Sequence, residues 1–133
     1  MKKIEHIGIA VSHLQEAIAL YEQLLQSPCY KTEHVASEKV STAFFQVGDS
    51  KIELLEASDP DSPIAKFIAK KGQGIHHIAY EVEDINVEMK RLQALGFELL
   101  NESPKRGADN KWVCFLHPKS SNGVLVELCQ EIE

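Results

Sequence analysis

The sequence predicts an α+β fold made of two βαβββ modules, and three observations predict it. The segment "EHIGIAVSHLQEAIALYEQLL" from Glu5 superposes on "HHIAYEVEDINVEMKRLQAL" from His76 at an offset of 71, which matches His6 with His77. Further on, "KIELLE" superposes on "LVELCQ" at an offset of 74, so Glu53 matches Glu127 after about three residues of extra loop in the second copy. In both copies the apolar pattern then runs as one strand, one helix with 3.6-residue spacing, and three further strands.

The first module opens with a strand over residues 3–11. A helix near 13–25 follows, its apolar positions Leu14, Ala17, Ile18, Tyr21, Leu24 and Leu25 falling at helical spacing, with Ser12 as the expected cap. Strands are predicted near 29–36, 40–47 and 51–57, the last two joined by a hairpin at "GDS". Asp59, Pro60, Asp61, Ser62 and Pro63 mark a turn. The stretch "SPIAKFIAKKG" reads as a linker helix with Pro63 in its first turn and Gly72 past its end. The second module repeats the order with a strand near 75–82, a helix near 84–95 capped by Asp84 and stopped by Gly96, and strands near 97–102, 111–117 and 123–130. The expected organisation is one domain over residues 1–133, made of repeats at about 1–58 and 74–133. Its curved sheets should enclose a metal-binding cleft, with the helices outside.

Strand alternation places the chemistry. In "HIGIAV" the side chains of His6, Gly8 and Ala10 share one face, and in "HIAYEV" His77 lies beside Ala79 and Glu81. Small neighbours leave room above each imidazole. Glu127 interrupts "GVLVELC", apolar on both faces, and Glu53 interrupts "IELL"; an ionised carboxylate in either place costs several kcal/mol unless it is paired or holds a cation. A satisfied core histidine is the plain alternative for either imidazole taken singly, but the duplication of both His and Glu favours a metal. Brought together, His6, Glu53, His77 and Glu127 offer two nitrogens and two oxygens, a donor set suited to octahedral Co, Ni, Mn or Fe, or to Zn, with two positions open.

Composition narrows the function further. The 133 residues are 44% hydrophobic, enough for a core, and carry a net charge of −6, which argues against nucleic acid and anionic membranes as partners. No apolar run of about 18 residues is present, and "MKKIEHIGIAV" is too short and too interrupted by charge for a secretory signal. The expected setting is cytoplasmic. Cys29, Cys114 and Cys129 fit no zinc-knuckle spacing and, being odd in number, no disulfide framework, so they read as structural thiols in strands. Lys105, Arg106, Lys111 and Lys119 gather in the last third, either to hold an anionic phosphate tail or simply as a solvated loop.

Taken with the repeat, the stretches "IEHIGIAV", "VGDSKIELLEASDPDSPIAKFIAKKGQGIHHIAYEV" and "PKRGADNKWVCFLHPKSSNGVLVELCQ" resemble the vicinal oxygen chelate superfamily and, within it, the methylmalonyl-CoA epimerases, over essentially the whole chain. The resemblance places His6, Glu53, His77 and Glu127 on the family's four metal positions, with Glu53 where many members carry Gln. It implies a homodimer that inverts the α-carbon of an acyl-CoA thioester through a metal-stabilised enolate. Glu127 and Glu53 would be the catalytic acids, and Lys105, Lys119 and Ser120 would contact the substrate. Some bacterial members have a glutamate base where this chain has Thr42, which cannot serve as one.

The resemblance leaves room for other activities of the same superfamily. A glyoxalase I type lyase also uses two His and two Glu, but the basic "PKRGADNKW" and "HPKSSNGV" segments suit a CoA tail better than glutathione. A non-catalytic ligand-binding protein would not need four ligands, and a ring-cleaving dioxygenase uses one carboxylate fewer. His76 is expected on the strand face opposite His77, as a structural residue. His117 either shapes the CoA site or serves as a turn residue, and Trp112 either flanks the acyl pocket or packs. His13 and His34 are expected to face solvent.

Overall fold

Alternation of apolar side chains on β1 (Lys3–Ala10) and periodic Leu, Ile and Tyr positions on α1 (Leu14–Leu25) start a pattern that the chain completes twice. The computed structural model describes residues 1–133. After α1 come β2 (Lys31–Val35), β3 (Val40–Val47), β4 (Ser50–Ala57) and α2 (Pro63–Lys71). Then follow β5 (Gly74–Glu81), α3 (Ile85–Ala94), β6 (Lys105–Gly107), β7 (Lys111–Leu116) and β8 (Val126–Glu131). Two compact units form, His6–His76 and Met1–Glu5 with His77–Glu133.

In the His6–His76 unit the strand order is β2–β3–β4–β1, with β2, β3 and β4 antiparallel and β1 parallel to β4. The other unit has the order β6–β7–β8–β5, again antiparallel except for the β5–β8 pair. The repeat therefore holds at the level of register. Gly8 is the β1 partner of Glu53, and Ala79, its match in the second copy, is the β5 partner of Glu127.

Each unit buries one sheet face under its helix. On the first, Leu14, Ala17, Ile18, Tyr21 and Leu25 of α1 cover Ala43, Phe45 and Leu54, and on the second Ile85, Met89 and Leu92 of α3 cover Cys114, Leu116, Val126 and Leu128. Leu24, counted above on the apolar stripe, points outward and is 66% exposed: Leu25 already fills the inward position at that turn. α2 closes a smaller cluster on the opposite face of the first sheet, where Ile64, Phe67 and Ile68 meet Ala10, Val40 and Leu55.

Capping follows the sequence for two helices and departs from it for the third. Ser62 Oγ accepts from Ile64 N–H at 3.1 Å and Pro63 opens α2; Asp84 Oδ1 accepts from Asn86 and Val87 N–H to open α3. Ser12 does not cap α1. His13 occupies the cap position without a side-chain bond, and the Leu14 N–H donates instead to Glu56 Oε2 at 3.1 Å, so a carboxylate from β4 satisfies the helix end.

The strand expected at 97–102 is also displaced. Phe97 and Leu99 supply the alternation by packing under α3, but pairing there is one bridge, Leu99 with Leu116, and the strand proper is Lys105–Gly107 against β7. No helix is long and apolar enough to cross a membrane.

Candidate functional site

In the His6–His76 unit, β1 turns His6 away from α1 and β4 does the same for Glu53, because Ile9, Ile52 and Leu54 take the α1 side of those strands. His6 Nε2 lies 3.2 Å from Glu53 Oε1, and the residues are 6% and 4% exposed. Gly8, the strand partner of Glu53, adds no side chain above the pair. Phe44 stands opposite Glu53 on β3, and the Lys31 ammonium lies 5.7 Å from the centre of the Phe44 ring.

The other unit repeats this arrangement. His77 Nε2 lies 3.3 Å from Glu127 Oε1, both side chains buried, and Ala79 is the small strand partner. Phe115 stands opposite Glu127, its ring edge-on to the His77 imidazole at 5.9 Å, with the Lys105 ammonium 5.8 Å from its centre. Cys129 and Val113 share this face, while Tyr80, Val126 and Leu128 face α3.

A buried carboxylate oxygen against a buried imidazole nitrogen, occurring once per unit, is the donor chemistry that a divalent transition metal accepts. Each unit thus holds a pair able to contribute one nitrogen and one oxygen ligand. The adjacent imidazole is one partner that compensates the burial of each carboxylate.

Other residues singled out from the sequence fall in varied places. Ser120 and Lys119 lie in a 3-10 turn after β7, where Ser120 Oγ accepts from Glu98 N–H and Lys119 Nζ lies 3.1 Å from Glu98 Oε1. Lys105 is apart from them, on the Phe115 ring. Lys111 is no solvated lysine: it is 4% exposed and reaches Glu131 at 3.2 Å. Trp112 lies on the α3 side of β7 with the Arg106 guanidinium over its ring, so it packs there and does not share the face of His77. His117 Nδ1 accepts from Lys119 N–H, which makes it a turn cap.

His76 sits edge-on to Phe67 at 5.0 Å, and burial, helped by the Lys71 ammonium, lowers its pKa to about 4. His13 and His34 are exposed, as expected. Thr42 is fully buried, its hydroxyl directed to the Glu33 carbonyl at 3.4 Å. All three cysteines are free; Cys114 and Cys129 lie in strands, and Cys29 lies just before β2. Burial pushes the Cys129 thiol pKa up, with the Glu127 and Glu5 carboxylates adding to the effect, and burial raises Cys114 as well. Glu5, 2% exposed, is a buried charge that the sequence pattern did not single out.

Residues 5–115 match the family model of the glyoxalase/bleomycin resistance protein/dioxygenase superfamily, and the chain belongs to that superfamily. Within it, several of the similar proteins are methylmalonyl-CoA epimerases. The ethylmalonyl-CoA/methylmalonyl-CoA epimerase of Cereibacter sphaeroides is 42% identical over 96% of this chain and 97% of its own length. The mitochondrial methylmalonyl-CoA epimerase of Homo sapiens is 41% identical over 96% of this chain and 73% of its own. The crystal structure of the methylmalonyl-CoA epimerase from Mycobacterium tuberculosis superposes with a TM-score of 0.94 at 34% identity, covering 98% of this chain and 89% of that one.

Proposed function

We propose that this chain is a methylmalonyl-CoA epimerase that depends on one divalent ion, Co, Ni, Mn or Zn, held jointly by His6, Glu53, His77 and Glu127. The observation that carries the reading is the buried imidazole–carboxylate pair present in each unit at matched register. Relatives that act on methylmalonyl-CoA, at about this identity over nearly the whole chain, supply the substrate. In this reading the chain is one functional domain of two repeats, working as a cytoplasmic homodimer.

When bound, the ion supplies Lewis acidity toward the thioester oxygen, lowering the cost of the negative charge that develops there. The chain's own residues do the rest. Glu127 takes the α-proton from one face of the substrate, leaving the C–H electron pair in the planar enolate, and a second acid returns a proton to the opposite face. Phe44 and Phe115, facing the two carboxylates, limit water beside them. Lys105, Lys119 and Ser120 bind the anionic CoA portion.

Glu53 is the acid first expected for the second face. Either glutamate would have to leave the ion transiently to move a proton, Glu127 as well as Glu53. The test of the whole reading is turnover of each methylmalonyl-CoA epimer by metal-stripped and metal-reloaded protein, beside the methylglyoxal–glutathione hemithioacetal as the competing substrate. Turnover of the hemithioacetal alone, or equal epimerisation with and without metal, would sink it.

A further inference from the structure

The two copies act as controls for each other: on the His/Glu face, features that agree belong to the repeated scaffold, and features that differ were added to one unit. Lys31 over Phe44 and Lys105 over Phe115 agree. By register the copies then part: Glu33 stands opposite Thr42 and, across it, Leu55, two residues past Glu53, whereas the matching place in the other unit, opposite Val113 and Cys129, two residues past Glu127, is held by Lys105. One unit thus carries an acid where the other carries a lysine.

Register fixes where Glu33 points. β2 pairs Glu33 directly with Thr42, and β3 pairs Thr42 with Leu55 and Phe44 with Glu53. Directly opposed residues of antiparallel strands project to the same face. Glu33 therefore shares the face of Glu53 and His6, away from the side on which Ala43 and Phe45 meet α1. The Lys31 ammonium supports this placement, lying 3.5 Å from Glu33 Oε1 while it covers Phe44. Glu33 and Glu53 are the two acids that the strands of this unit present on that face; Glu56 is turned to the start of α1.

At about 4.8 Å between strands and about 3.4 Å per residue along them, the two Cα atoms are about 12 Å apart. Glu53 is buried against His6, whereas the Glu33 side chain is 31% exposed and can exchange a proton with solvent.

We propose that Glu33 is the second-face catalytic residue of the epimerisation, so that Glu53 remains a ligand; this rests on the epimerase reading. For one epimer the Glu33 carboxylate accepts the α-proton, the C–H electron pair passes into the enolate, and protonated Glu127 delivers a proton to the opposite face. The other epimer runs the same transfers in reverse, with no net gain or loss of protons.

Deuterium uptake at the α-carbon in D₂O, started from each epimer separately, tests the assignment on the metal-loaded protein. Glu33→Gln should slow uptake from one epimer by about 100-fold or more, the usual worth of a positioned base, and leave uptake from the other within a few-fold. Thr42→Glu in the Glu33→Gln background, which returns an acid directly opposite the vacated place, should restore at least about tenfold of the loss. Unchanged uptake from both epimers in Glu33→Gln overturns the assignment. So does an equal fall from both, which marks a structural role, or a one-sided loss in Glu53→Gln alone with metal retained. No uptake in the unsubstituted protein overturns the epimerase reading itself and this assignment with it.

Discussion

A carboxylate on an inner strand is tolerated only where a partner compensates for its lost hydration, and Glu53 and Glu127 each have an imidazole at 3.2–3.3 Å. If those pairs are metal ligands, His77→Ala and Glu127→Ala should abolish epimerisation and metal retention together. His13→Ala, at an exposed helix start, should change neither, and metal content beside turnover checks both outcomes. The thiols report on both faces of the sheets, Cys129 on the face of Glu127 and Cys114 on the α3 side. Cys129, with its pKa raised by burial and the nearby Glu127 and Glu5 carboxylates, and Cys114, raised by burial, should resist maleimide at neutral pH in the folded protein, leaving Cys29 as the labelled thiol. Intact-mass counting should give one adduct in the native protein and three after unfolding. The His–Glu pairs were legible in the sequence because a polar residue interrupts an apolar strand twice at matched positions. Glu33 was not, because β2 is a polar edge strand of its unit and only its pairing with Thr42 reveals which way the side chain points.

Elements whose ends are set by adjacent residues were legible, and those completed from far away were not. Ser62 and Asp84 cap their helices from the neighbouring position, so sequence spacing located α2 and α3. The start of α1 depends on Glu56, 42 residues distant, and β6 is three residues with no apolar alternation, held by β7. Ser62→Ala and Asp84→Ala should each lower stability by about 1 kcal/mol, read from denaturant midpoints at unchanged slope. Glu56→Gln keeps an acceptor for the Leu14 N–H and should cost less than Glu56→Ala. Gly107→Ala tests the close approach of β6 to β7: the new methyl would meet Val113 at 2.9 Å, and the strain should cost about 1–3 kcal/mol. A stability indistinguishable from the unsubstituted protein would show that β6 shifts freely and that its tight pairing is not needed.

At the scale of the whole chain, the question is whether the two duplicated pairs serve one ion or two. A ligand that binds only the folded state raises stability by RT ln(1 + [L]/Kd), about 2.7 kcal/mol at 100 times Kd. Each unit supplies one nitrogen and one oxygen, half of a four-ligand site, and half a site binds weakly. If one ion draws on both units, His6→Ala alone should remove most of the metal-induced rise in unfolding midpoint, and His77→Ala alone should do the same. The double variant should then lose little more, giving a large interaction term in the mutant cycle. Two independent ions would give the opposite pattern, with each single variant losing about half and the losses adding. Titration calorimetry on the same four proteins supplies the stoichiometry, expected at one metal per chain. Additive losses with two metals per chain would dissolve the shared centre and, with it, the reason for duplicating His and Glu at matched register.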